Sequence, residues 1–173
     1  MKNLEEKIGF DKIRNLLIAK CATQYAVSRV HDESFSTDRD IILNRLQLTD
    51  EMRLICMFED SFPTDGYVDA KPFLVPLAAE TSFIDLQSLV QLRTMLNTLR
   101  RITQFFKDSK IEIYPNLAQM TAFIPLYPEI SRRIDLILDK FGNVKDNASE
   151  QLASIRKAIK DTERHISKQI SSI

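Results

Sequence analysis

The sequence predicts an all-α protein, and three observations carry that prediction. Apolar residues recur at steps of three and four over long stretches, most clearly at Leu86, Leu89, Leu92, Leu96, Leu99, Ile102 and Phe106. No convincing run of alternating apolar and polar residues, the mark of a half-buried strand, occurs anywhere. A last stretch, from about Ser149 to Ile173, keeps the helical step with no breaker inside it. The expected architecture is a multi-helix core over residues 1–139, then a connecting turn and one long coiled-coil helix over 140–173.

Taken in order, residues 3 to 30 carry helical periodicity, with Phe10, Ile13, Leu16, Leu17, Cys21 and Tyr25 as the apolar stripe and Asp11 as a cap for its start. His31 to Asp38 is polar and reads as a loop. Thr37 or Asp38 can cap a second helix whose stripe is Ile41, Ile42, Leu46, Met52, Ile55 and Met57 or Phe58. Pro63, Asp65-Gly66, Pro72 and Pro76 forbid one continuous helix across 59–76, and Tyr67-Val68 fits a short extended piece. The strongest stripe follows, capped by Asp85 or Ser82. A linker ends at Tyr114-Pro115. Leu117, Met120, Phe123 and Ile124 suggest a short helix stopped before Pro125, and Pro128 opens another with Ile130, Ile134, Ile137 and Leu138 inward.

Composition narrows the chemistry. At 173 residues with 44% apolar content, the chain is long enough for one domain with a core, or a domain plus an appendage. Its 24 basic and 24 acidic residues give no net charge, so attraction to nucleic acid or an anionic membrane must come from a local patch. The glycines Gly9, Gly66 and Gly142 fit neither a phosphate-cradling loop nor a dinucleotide fingerprint, both of which need close glycine pairs. Cys21 and Cys56 lie far apart, with just His31 and His165 beside them, so the sequence predicts no metal site and two buried free thiols. The start of the chain is charged and has no apolar core of a signal peptide, and no apolar run reaches the ~18 residues of a membrane span. A cytoplasmic protein is expected.

No catalytic constellation stands out. Glu59-Asp60 and the Asp65/Asp69 pair lie in the proline-rich loop, where solvated charge is the plainer reading than a cation site. Ser34 and Ser36 near His31 fit a polar loop between helices. Catalytic residues are therefore expected to be none.

The last helix is the richest segment. Leu152, Ile155, Ile159, Thr162, Ile166, Gln169 and Ile173 step by three and four, a narrow seam suited to one partner helix and weakened by its two polar members. It reads as one strand of an antiparallel coiled coil whose return strand is not in the sequence, and such a strand should fray or self-associate. Arg156, Lys160, Arg164 and Lys168 recur every four residues, joined by Lys157. Such a row can follow a phosphate backbone, or it can be a solvated flank pairing with acidic residues of a partner strand.

The passage Gly142-x-Val144-x-Asp146-x-Ala148-Ser149-x-x-Leu152-x-x-Ile155-Arg156 resembles the entry from core into clamp in MutS-family proteins. Ile8-Gly9-Phe10-Asp11-Lys12-Ile13 through Cys21, and the loop Phe62-Pro63, Asp69, Pro72 and Leu74 followed by Leu89, Leu92 and Arg93, resemble the shorter second branch of that family. The resemblance covers nearly the whole chain. It implies a helical lever over about 1–139 and the ascending strand of a clamp beyond about 146. It further implies a longer DNA-binding ATPase using ATP and Mg, often with a nuclease domain, linked to mismatch repair and recombination, branched DNA and in some bacteria stalled ribosomes. This part would then be non-catalytic, with Arg156, Lys160, Arg164 and Lys168 as weak phosphate contacts. The alternative is a non-catalytic helical interaction or dimerisation module, docking through Leu152, Ile155, Ile159 and Ile166. The sequence departs from the branch at Glu150, where a proline is usual, at Lys71, where an arginine is usual, at Val75 and Pro76, where basic residues are usual, and at Ala26, where a glycine is usual.

Overall fold

The structure is a computed structural model describing the backbone of residues 2–171 and the side chains of 5–171; the expected seam position Ile173 lies outside the described residues. It is all-α. The helices are α1 (Lys2–Ile8), α2 (Phe10–Ile18), α3 (Gln24–Asp32), α4 (Arg39–Phe58), α5 (Lys71–Leu74), α6 (Leu86–Phe105), α7 (Ser109–Ile113), α8 (Pro115–Thr121), α9 (Pro128–Ile137) and α10 (Glu150–Ile170), with a 3-10 turn at Val75–Ala78. Among the described residues no strand forms beyond an isolated antiparallel bridge between Leu138 and Val144. The chain divides into two compact units, Met1–Phe83 with Thr94–Leu126, and Ile84–Arg93 with Tyr127–Ile173.

In the first unit the single periodic stretch expected over 3–30 is three helices. Gly9 sits at φ 73, in the left-handed region that ends α1 and turns the chain into α2, and Thr23 caps α3 by accepting from the Ala26 amide at 3.1 Å. Asp11 is not a cap: it lies inside the first turn of α2, whose cap position is the glycine. Arg14 draws the three helices together. Its guanidinium donates to both Glu5 carboxylate oxygens at 2.9 and 3.0 Å, to the Glu33 carbonyl at 3.0 Å and to the Val30 carbonyl, and it lies over the Phe10 ring. The expected apolar stripe is largely in water, with Leu16 65% and Tyr25 61% exposed.

Asp38 caps α4 as its type and position foretold, accepting from the Asp40 and Ile41 amides at 2.9 and 3.1 Å. The expected stripe of α4 does not bury as a whole. Ile55 is fully buried, whereas Ile41, Ile42, Leu46, Met57 and Phe58 are exposed. The physical reason is the partner: α4 packs on α8, which has seven residues and so covers only ~10 Å of a much longer helix.

That contact is fixed by a polar group which apolar periodicity cannot reveal. Glu51, 8% exposed, accepts from the Asn116 amide at 3.1 Å, the Asn116 side-chain amide at 2.6 Å and the Leu117 amide at 2.8 Å. It thus satisfies the free N–H groups at the start of α8, where a carboxylate also complements the helix dipole. Around it Ile55, Phe62, Phe106, Tyr114 and Ala118 form the core. Its rings meet edge to face, Phe62 on Phe105 at 5.1 Å and Phe105 on Phe106 at 5.0 Å between centroids.

The proline-rich loop closes onto α6. Gly66, at φ 75, lies so near the Thr98 hydroxyl that a side chain at 66 would collide with it. Tyr67-Val68 pairs with no strand; the Tyr67 hydroxyl donates to the Pro63 carbonyl at 2.8 Å instead. The expected linker after α6 contains α7, and the expected helix over 117–124 ends at Thr121, leaving Phe123 80% exposed. Cys21 is half-buried and Cys56 exposed, both as free thiols, so the expected burial of the two fails: neither lies on the narrow covered strip of its segment.

Candidate functional site

The second unit holds the turn and helix singled out by the sequence. Asp85 caps α6, accepting from the Ser88 amide at 2.9 Å and the Ser88 hydroxyl at 2.6 Å; these bonds hold its carboxyl below the usual carboxylate range. Pro128 opens α9, which buries Ile134, with Leu138 buried just beyond it.

The turn from Leu138 to Lys145 is cross-braced. The Asp139 carboxylate accepts from the Phe141 and Asn143 amides, each at 2.8 Å, and these bonds lower its pKa, the Asn143 amide most. The Asp139 amide donates to the Asn143 carbonyl at 2.9 Å, and the Lys145 amide to the Ile137 carbonyl at 2.9 Å. Arg93 donates to the Asp139 carbonyl at 2.6 Å, and the Lys145 ammonium to the Asp135 carbonyl at 2.6 Å. Gly142 takes φ 89, and a Cβ there would come within 3.1 Å of Val90. The glycine therefore serves both the left-handed turn and the close approach to α6.

Ser149 then caps α10, accepting from the Leu152 amide at 3.1 Å. Asp146 faces the helix side rather than the cap. Its carboxylate takes an ion pair from Arg156 and another from Lys160 at 3.0 Å, and these partners, Arg156 first, lower its pKa. Arg156 also donates to the Val144 carbonyl at 3.2 Å, and Arg164 pairs with Asp161 at 3.3 Å. Of the four cations in the row, Arg156, Lys160 and Arg164 already face an acid of their own unit, while Lys168 is exposed. Asp146, Arg156, Lys157, Lys160, Asp161 and Arg164 line an open groove of about 280 Å³.

The seam on the same helix is bare. Leu152 is half-buried, but Ile155 is 57%, Ile159 52% and Ile166 49% exposed, and every described residue from Lys157 to Ser171 is exposed.

Outside this unit, Glu59 is neither a cation ligand nor a solvated loop charge. It lies largely covered, accepting from the Tyr114 hydroxyl at 2.9 Å and pairing with Lys110. The Lys110 bond, then Tyr114, lowers its pKa; burial, with help from Glu59, raises that of Tyr114. His31 and His165 are exposed, and Ser36 accepts from the Asp38 amide at 3.2 Å. Among the described residues no three His, Cys, Asp or Glu side chains cluster as a metal site would require, and no helix is long and apolar enough to cross a membrane.

Fold and site together define an all-helical module: a cross-braced turn, then a long helix with one basic row and one open apolar seam. No protein-family model matches the chain. Its sequence is nevertheless related to proteins named Endonuclease MutS2. It is 29% identical to that of Thermomicrobium roseum, with 92% of this chain covered, 24% identical to that of a Geobacillus species, with 96% covered, and 25% identical to that of Ligilactobacillus salivarius, with 99% covered. The chain spans about a fifth of the length of these relatives.

Proposed function

We propose that this chain is the core and the beginning of the clamp of a MutS2-like, DNA-handling protein, acting mechanically and by contact rather than by catalysis. Residues 1–139 would serve as the helical lever and 140–173 as the turn and first strand of the clamp coiled coil. ATP, Mg, ATPase and nuclease chemistry would belong to further parts of such a protein, in the cytoplasm. Its partner would be DNA, branched forms included, or the ribosome. The observation that carries this reading is α10 itself: 21 residues with none buried, which follow a turn braced on both sides. A helix so exposed is at home only against a partner, and the similarity to MutS2 proteins over nearly the whole chain supplies the kind of partner.

Arg156, Lys160, Arg164 and Lys168 would make weak phosphate contacts. A phosphate would have to displace Asp146 to engage Arg156 and Lys160, so affinity should be modest and steeply salt-dependent. Reversing all four to Glu should weaken binding to a DNA duplex in an anisotropy titration at low salt and flatten its salt slope. Unchanged affinity would remove these residues from the interface.

The exposed seam specifically favours a second reading, a helical interaction module that docks a protein helix or a second copy through Leu152, Ile155, Ile159 and Ile166. Sedimentation equilibrium should show concentration-dependent association, lost in Ile159→Asp. A monomer at high concentration would reject it.

A further inference from the structure

Phe141 stands at the tip of the braced turn and is 77% exposed. Its own amide is tied to the Asp139 carboxylate, and the next residue is locked against Val90 by a glycine that tolerates no side chain there without a shift. An apolar ring on a floppy loop could fold back to escape water; this one is anchored at its backbone. The Lys140 ammonium lies over one face of the ring, 4.9 Å from its centroid, and a stacking partner would take the other face or displace it. Phe83 and Phe123 are as exposed, but no cation lies over either ring among the described residues. The chain neighbours Lys140 and Asn143 are polar and Gly142 has no side chain. The segment from Tyr127 onward also carries nine basic against seven acidic residues, a bias toward anionic ligands within a chain of zero net charge.

We propose that Phe141 is a stacking platform for an unpaired nucleobase, with Lys140 placed for the adjoining phosphate. A rigid ring with a neighbouring cation is the combination that binds single-stranded nucleic acid without reading its sequence, because every base offers a π-face. A base inside an intact duplex cannot reach it, so the site selects nucleic acid with an unpaired segment. The proposal rests on the nucleic-acid reading above and narrows it to a class of ligand.

The chain contains no tryptophan, so Phe141→Trp would place a unique fluorophore at the site. Its emission should be quenched on titration with oligothymidylate and left largely unchanged by a blunt duplex. Phe141→Ala, which keeps every backbone bond of the turn, should weaken oligothymidylate binding by about tenfold while leaving blunt-duplex affinity in place. Equal affinities of parent and Phe141→Ala for oligothymidylate, or an unquenched Trp at saturation, would overturn the stacking site while leaving phosphate contact by α10 intact. A concentration-dependent blue shift without nucleic acid would assign the ring to self-association and likewise overturn it. If neither ligand binds parent or variants at low salt, the nucleic-acid reading itself falls.

Discussion

Helices α4 and α10 have nearly the same length, 20 and 21 residues, and both carry apolar residues at helical spacing. Their fates differ. α4 buries Ile55 completely and Glu51 almost so, at the place where a short helix crosses it. α10 buries nothing, and its isoleucines stand half in water. The step of three and four states that a helix has an apolar side; it does not state that anything covers it. What decides the matter for α4 is one carboxylate that finds the open start of α8. For α10 the ion pairs described run to its own turn, at Asp146, or stay within the helix, at Asp161.

Five substitutions and one titration would sharpen or break this contrast. Ile55→Ala should destabilise the protein by about 2–5 kcal/mol in urea denaturation, since a fully buried isoleucine leaves a cavity. Glu51→Ala should cost about 1–3 kcal/mol by leaving the α8 amides unsatisfied in a covered place; a loss under half a unit would show that water serves them as well. Gly142→Ala should cost about 1–2 kcal/mol for the left-handed backbone alone, and amide exchange should quicken in 138–145 rather than around Ile55. Ile159→Ala should lie within about 0.5 kcal/mol of the parent, as for an exposed surface position; a loss like that of Ile55→Ala would mean the seam is already covered, by a second copy.

The smallest effect concerns pH. The Asp146 carboxyl is held below its unfolded value by Arg156 and Lys160, so whatever its pairing adds to folding is present at neutral pH and above the unfolded value, near 4. It disappears as pH falls through the lower folded value. Carboxyl chemical shifts should place the Asp146 midpoint below that of ordinary exposed aspartates, and 0.5 M salt should move it upward. Asp146→Asn should also raise duplex affinity at low salt by releasing both cations. No gain would mean that Arg156 and Lys160 serve the turn and nothing else.

Much of the fold could be read in the sequence where a local chemical rule governs it. Asp38, Asp85 and Ser149 as caps, Pro128 at a first helical position and Gly142 at a turn each depend on one residue and its nearest neighbours. The stripe of α6 was legible as spacing, and of its members within the helix Leu96 is buried while Leu86 stays exposed. The breaks in 3–30 were missed because Gly9 interrupts a periodicity that continues on either side. Burial along α4 was missed because it depends on a contact with a segment 65 residues away. At the candidate site the row and the seam were visible as spacing. Asp146 as the partner of Arg156 and Lys160 was not, since the turn folds it back across ten and fourteen residues; an acid just before a basic helix was the available signal. Phe141 drew no notice because exposure of a loop aromatic has no signature in sequence.

The Glu51 contact also has a consequence in time. During synthesis α4 is complete long before Asn116 and Leu117 exist. Until then its carboxylate must stay hydrated and Ile55 must wait without a lid. A nascent chain halted between these points would therefore hold the α4 segment without its partner, an apolar surface open to chaperones.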